Sequence, residues 1–279
     1  MARARIKRAG LYTAVVAFCF FFAAPFLWMI ITAFKTDRDL YRAQNNPFFF
    51  NEPPTLDNLD FLFFNTNYLG FIRNSLFVGA VVVIITLLLA VPAGYSLARL
   101  AGRWGERASI GMFLIYLVPP ILLFIPLFRI VVALHLNNSL WSLVVTYPTI
   151  TIPFSTWLLA GFFGSIPRDL EEAAMVDGYS RFSAFVRVVL PLSVSGIIAV
   201  IVFTFTLTLH EFIYALTFVT ASAQRTISVG VPVELIRGDV FFWQSLMAAA
   251  VIVAIPVGIV YSLFLSRLVA GLTMGAVKG

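Results

Sequence analysis

Long apolar runs alternate with short polar intervals along the whole chain. A helix needs about 20 apolar residues to cross a bilayer. Six runs reach that length: 11–34, 74–98, 108–132, 140–163, 192–216 and 242–265. The pattern predicts an all-α integral membrane protein, residues 1–279 forming one transmembrane domain of six helices. Pro25, Pro92, Pro119, Pro120, Pro126, Pro148, Pro153 and Pro256 punctuate the runs. Each removes a backbone donor and tends to kink a helix. Broken helices at membrane depth are tolerated where other helices or a water-filled cavity satisfy the freed carbonyls. The pattern therefore favours a transport path over a passive anchor.

Orientation follows from the basic residues. With the N-terminus inside, twelve Lys and Arg fall in the inner segments and seven in the outer ones, in agreement with the positive-inside rule. The polar interval 165–191 and the tail 268–279 are then cytoplasmic. Arg3, Arg5, Lys7 and Arg8 precede the first run, as in a signal peptide. That run is too long for an h-region and reaches Lys35 without a small-residue cleavage site, so a retained first helix is expected.

Composition agrees: 61% of the residues are hydrophobic and 11% charged, against about 25% charged in a soluble domain. The net charge of +6 does not indicate nucleic acid, because the basic residues are scattered between apolar runs. Their expected partner is the cytoplasmic face of the bilayer. The single cysteine, Cys19, excludes an internal disulfide and reads as a small core or lipid-facing residue.

Candidate chemistry is sparse. No GxxxxGK[ST] phosphate loop is present, and His135 and His210 lack metal-ligand spacing. No catalytic constellation, cofactor or metal is expected in this chain, so the energy for active transport must come from another subunit. His210-Glu211 lies inside the fifth run. Ionisable residues there face a cavity or a partner. The pair reads as a pathway or gate, or as a hydrogen-bonded pair that fixes helix packing. Arg129, near the outer end of the third run, is expected to snorkel.

The most informative polar interval is Ser165–Ser193. Pro167 suits a first helical turn, and Asp169, Glu171 and Glu172 place negative charge near the positive end of the helix dipole. Leu170, Ala173, Ala174 and Asp177 share one face at helical spacing, and Gly178 stops the helix. Phe182, Phe185, Val186 and Val189 repeat the spacing before Pro191. A face of small residues suits close docking against another protein; an amphipathic loop resting on the membrane is the alternative.

Glu172-Ala173-Ala174, Gly178 and Leu190-Pro191 resemble the EAA loop of ABC-importer permeases. The whole run and the tail from Leu268 to Gly279 resemble the maltose-type carbohydrate permeases, in particular the smaller of their two membrane subunits, and Thr55-Leu56-Asp57-Asn58 is similar to a piece that recurs in carbohydrate permeases. Family members often carry Trp-Asn-acidic-Phe where this chain has Leu209-His210-Glu211-Phe212, which keeps only the acidic-Phe pair. The resemblance implies a type I ABC importer permease fold in the bacterial cytoplasmic membrane, working by alternating access. It implies that Glu171, Glu172, Ala173, Ala174, Asp177 and Gly178 couple to an ATPase. It also implies that Gly271, Gly275, Lys278 and Gly279 belong to a flexible, narrow tail strand touching that ATPase. The implied partners are a second, different permease, an ATPase homodimer carrying ATP and Mg, an extracytoplasmic binding protein and a carbohydrate or polyol cargo. An ion-coupled secondary transporter, an ABC permease for a non-sugar solute and a non-transport scaffold are the alternatives.

Overall fold

A computed structural model describes residues 2–276, with side chains described for residues 8 and 10–264. In chain order α1 (Ala2–Ala33), α2 (Asp37–Tyr41) and α3 (Asp57–Phe64) come first. Then α4 (Tyr68–Tyr95) runs into a π-helical turn, Ser96–Leu100. Next come α5 (Gly102–Tyr116), α6 (Pro120–Ala133), α7 (Leu140–Thr146) and α8 (Pro148–Ser165). The polar interval holds α9 (Arg168–Val176), α10 (Arg181–Ala184), a second π-helical turn, Phe185–Val189, and α11 (Leu190–Leu192). The chain continues through α12 (Val194–His210), α13 (Ile213–Phe218) and α14 (Ile227–Leu235). An antiparallel hairpin of β1 (Ile236–Arg237) and β2 (Val240–Phe241) precedes α15 (Trp243–Ala276).

Four helical segments are long and apolar enough to cross a membrane: Gly10–Ala33, Tyr68–Leu100, Leu140–Ser165 and Trp243–Phe264. Two bent pairs bring the number to six if each is one span: α5 with α6, at 87°, and Arg181–Leu192 with α12, at 72°. The expected helix 108–132 is therefore broken. Pro119 caps α6 and Pro120 opens it; proline cannot continue the preceding hydrogen-bond ladder and disfavours helical backbone before it. Pro25, Pro92, Pro126, Pro153 and Pro256 sit inside continuous helices. The expected helix 192–216 is also interrupted, because α12 stops at His210. The second span starts at Tyr68, earlier than the apolar run suggested.

The tail differs from expectation too. α15 continues to Ala276, so Gly271 and Gly275 are helical and do not form an extended strand. An isolated glycine costs a helix about 1 kcal/mol, too little to stop one already propagating from a long span. Lys278 and Gly279 lie outside the described residues.

Contacts divide the chain into two compact units. The first comprises residues up to Tyr68 with Val231–Val257. Its polar centre is Lys35, wholly buried. The ammonium spends its three protons on Asp39 Oδ1 (3.2 Å), Asn46 O (3.0 Å) and Phe49 O (2.6 Å). Asp39 also accepts from the Asn51 N–H (3.0 Å) and the Asn51 side-chain amide (2.7 Å). Burial pushes the Asp39 carboxyl up, but the hydrogen bonds from Asn51, Lys35 and Glu52 outweigh it and hold the pKa at about 2. Burial and the neighbouring Asp37 charge raise the Tyr41 phenol. α3 begins at Asp57, whose N–H bonds Thr55 Oγ1 at 3.1 Å. The Asn58 amide donates to the carbonyl of Ala33, which the end of α1 leaves without a helical partner, and to that of Lys35 just beyond it.

The second unit comprises Leu69–Gly230 with residues from Gly258 onward. Two buried clusters hold it. Val82, Leu143, Tyr147, Tyr214 and Phe218 belong to one; Tyr95, Leu159, Phe163, Phe185 and Val189 belong to the other. The hydroxyls of Thr86 and Thr151 join α4 to α8 at 2.7 Å, a polar fastening suited to helices packed in lipid. At Gly196 a Cβ would meet the Phe162 ring at 2.6 Å, so glycine is what lets α12 approach α8 so closely.

Candidate functional site

The polar interval folds into a helical hairpin with opposed faces. α9 starts after Pro167, which is its N-cap and not a residue of its first turn. Asp169 and Glu171 occupy that turn. The helix ends in a Schellman motif: Tyr179 N–H bonds Ala174 O, and Gly178 N–H bonds Met175 O, both at 3.1 Å. Gly178 stands at φ +93°, a conformation that L residues rarely adopt. Ser180 then caps α10 by accepting the Ser183 N–H at 3.2 Å.

The expected face of Leu170, Ala173, Ala174 and Asp177 does not stay together. Leu170, Glu172, Ala173, Asp177 and Gly178 are exposed, whereas Glu171 and Ala174 are buried. Ala174 is thus not available to an outside partner. Val176 is 87% exposed and Phe182 74% exposed, so the outward surface is strongly apolar.

The inward surface is held by two residues outside any motif, Tyr95 and Arg99. Tyr95, the last residue of α4, donates its hydroxyl to Glu171 Oε1. Arg99, in the π-helical turn that follows, places Nε 3.5 Å from Glu171 Oε2. It also donates to Ile166 O at 2.6 Å. The Tyr95 ring packs 4.2 Å from that of Phe185 and 6.1 Å from that of Phe163, centroid to centroid. Their sequence signal was the four-residue spacing of Tyr95 and Arg99, which puts both on one helix face.

The second candidate, His210-Glu211, is divided by the structure. α12 ends at His210, which is exposed and makes no side-chain hydrogen bond among the described residues. Glu211 turns the other way and caps α13. It accepts from Tyr214 N (2.8 Å), Ala215 N (3.0 Å) and the Tyr147 hydroxyl (2.8 Å). Its own carbonyl accepts from Ser228 Oγ at 2.7 Å. The two residues therefore do not bond each other. Arg129 is exposed. Among the described residues no group of His, Cys, Asp and Glu has the arrangement of a metal site.

Residues 90–273 match the family model described as "Binding-protein-dependent transport system inner membrane component". The sulfoquinovosyl glycerol transport system permease of Agrobacterium fabrum is 36% identical over 256 residues, covering 91% of this chain and 88% of the relative. The trehalose/maltose transport system permease of Thermococcus litoralis is 30% identical over 282 residues, covering 98% of each. Among solved structures, one chain of a bacterial ABC transporter that imports the acidic polysaccharide alginate aligns with TM-score 0.79 at 16% identity, covering 94% of this chain and 96% of that one. The fold is that of an ABC importer permease, and the chain belongs to the family of binding-protein-dependent transport system inner membrane components.

Proposed function

We propose that this chain is a permease subunit of an ATP-driven importer for a carbohydrate or a related polyol derivative. The relatives' names support the cargo class: sulfoquinovosyl glycerol in one, trehalose and maltose in another. The chain crosses the bacterial cytoplasmic membrane six times as one transmembrane domain, with α5 and α6 together as the third span and α12 carrying the fifth, and with both termini inside. It works beside a second, different permease. An extracytoplasmic binding protein delivers the cargo. Two ATPase subunits hold ATP and Mg, and this chain breaks no bond itself.

The observation that carries this reading is the two-faced loop. Its outward surface of Leu170, Ala173, Val176 and Phe182 is exposed and largely apolar, and Glu172 lies beside it. An apolar patch of that kind marks a docking surface. Closure of the ATPase dimer on ATP would push this surface, rock the spans and open the path outward; hydrolysis would reset it. The helical tail through Gly271 and Gly275, with Lys278 and Gly279 beyond, reaches the same ATPase. In helical form it extends about 1.5 Å per residue, roughly half the reach of a strand.

His210, exposed where α12 breaks off, lines the cargo path in this reading. A gradient-coupled carrier would need a carboxylate free to exchange its ion. Glu211 is instead occupied as a helix cap, which favours the ATP-driven mechanism. The test is co-purification of the ATPase with Ala173→Trp, followed by uptake of the sugar carried by the binding protein. Bulk in a packed interface costs about 1–3 kcal/mol. The variant should insert normally and lose both the ATPase and uptake. Retention of both would refute the docking surface.

A further inference from the structure

We infer that Tyr95 and Arg99 grip Glu171 as a clasp, and that displacement of the loop reaches the membrane spans through this grip. The inference rests on the docking reading above and adds the link on the loop's other face.

Four elements converge at the clasp. Tyr95 ends α4, Arg99 belongs to the π-helical turn continuing it, Glu171 comes from α9, and Phe185 opens the second π-helical turn. Arg99 holds α9 at two places, through the Ile166 carbonyl just before it and through the Glu171 carboxylate on its first turn. A helix held at two points moves with what holds it. Glu171 is 5% exposed, so its charge has little water to fall back on and depends on these partners.

Both π-helical turns of the described chain flank this point, one carrying Arg99 and the other Phe185. Such turns occur frequently at functional sites. The grip is also incomplete as it stands. Arg99 Nε is buried and has no hydrogen bond, although a carboxylate oxygen lies 3.5 Å away. A buried charged donor without a partner is costly, and a pair serving only to stabilise the fold would be expected to close the remaining gap. We read the open contact as one that tightens when α9 is pressed inward. Tyr95 and Arg99 are positioning residues in this scheme and touch neither cargo nor nucleotide.

The experiment uses the complete importer in lipid nanodiscs, with ATP and Mg as the probe. Cys19 is replaced by serine, and a single fluorophore is attached at Leu100→Cys, half-exposed at the end of the π-helical turn. In the otherwise unchanged protein, ATP should shift the Leu100 signal. In Glu171→Ala the ATPase should co-purify in full, because the outward face is untouched, while the ATP-induced shift falls about tenfold or more. Should Glu171→Ala fail to insert, the near-isosteric pair Tyr95→Phe with Glu171→Gln is read in the same way. A full shift in either variant overturns the clasp. So does absence of any shift in the unchanged protein, or loss of the ATPase from the variants, which would make Glu171 part of the docking surface. Ala173→Trp separates the two ideas: if it keeps the ATPase and the full Leu100 shift, the docking reading fails and not the clasp.

Discussion

Two buried ion pairs, one in each compact unit, are built differently. Lys35 and Asp39 lie four residues apart, and every proton of the ammonium has an acceptor. Asp39 is surrounded by further donors from Asn51 and Glu52. Arg99 and Glu171 come from distant parts of the chain and sit 3.5 Å apart, with Nε unbonded. A buried pair repays its desolvation only when its remaining donors and acceptors are satisfied. The first pair meets that condition and acts as a fixed corner of the fold. The second does not, and it is the one placed between the loop and the spans.

The largest expected effect is on the saturated pair. Lys35→Ala leaves Asp39 buried without its counter-charge and should destabilise the protein by about 3–5 kcal/mol, read as the thermal unfolding midpoint in detergent. Arg99→Ala should cost clearly less, because one of its contacts is unmade. Equal losses would erase the distinction.

Acid sharpens it next. The folded-state carboxyl of Asp39 is held near 2, below its ordinary 3.8. A depressed carboxylate contributes stability that is fully present above the ordinary value and is lost as pH falls through the folded one. Unfolding midpoints should therefore drop by the equivalent of about 2 kcal/mol between roughly pH 4 and pH 2. In Asp39→Asn that component of the acid sensitivity should vanish.

Glu211 offers a third, saturated carboxylate. Glu211→Ala removes the cap of α13 and orphans the Tyr147 hydroxyl, at a cost of about 1 kcal/mol or more. Arg129→Ala should be close to neutral. Uptake measurements should rank them in the same order; the reverse ranking would point to a cargo contact at Arg129. The smallest stability effect belongs to Glu172→Ala, about 0.3–1 kcal/mol through the helix dipole. Its consequence should appear instead as weaker ATPase retention on co-purification.

Much of this is legible in the sequence, and the gaps have physical causes. Four of the six apolar runs coincide with helices long and apolar enough to cross a membrane, because a helix satisfies its own backbone in lipid. Gly178 was legible as a stop because a Schellman turn asks for positive φ. The inward turn of Ala174 was not legible: helical spacing defines a stripe but not which edge of it meets the rest of the chain. Leu170 and Ala174 are four residues apart, yet one is 46% exposed and the other 7%. Tyr95 and Arg99 escaped for a related reason. A tyrosine and an arginine closing a span read as interface anchors, and their partner lies far off in sequence. The breaks at Pro119 and after His210 needed the tertiary setting, since other interior prolines leave their helices continuous.

Glu171 and Glu172 are adjacent in the chain, yet one is buried and the other exposed. One residue of helix is about 100° of rotation. Deleting a single residue between Pro167 and Glu171 would therefore bring Glu172 toward Arg99, inserting one would bring Leu170, and either change would rotate the apolar surface away from its present direction. A conservative substitution at an exposed position of this stretch leaves that register intact, whereas a change in its length moves every face of the helix at once. The spacing from Pro167 to Gly178 is thus a measurement built into the gene.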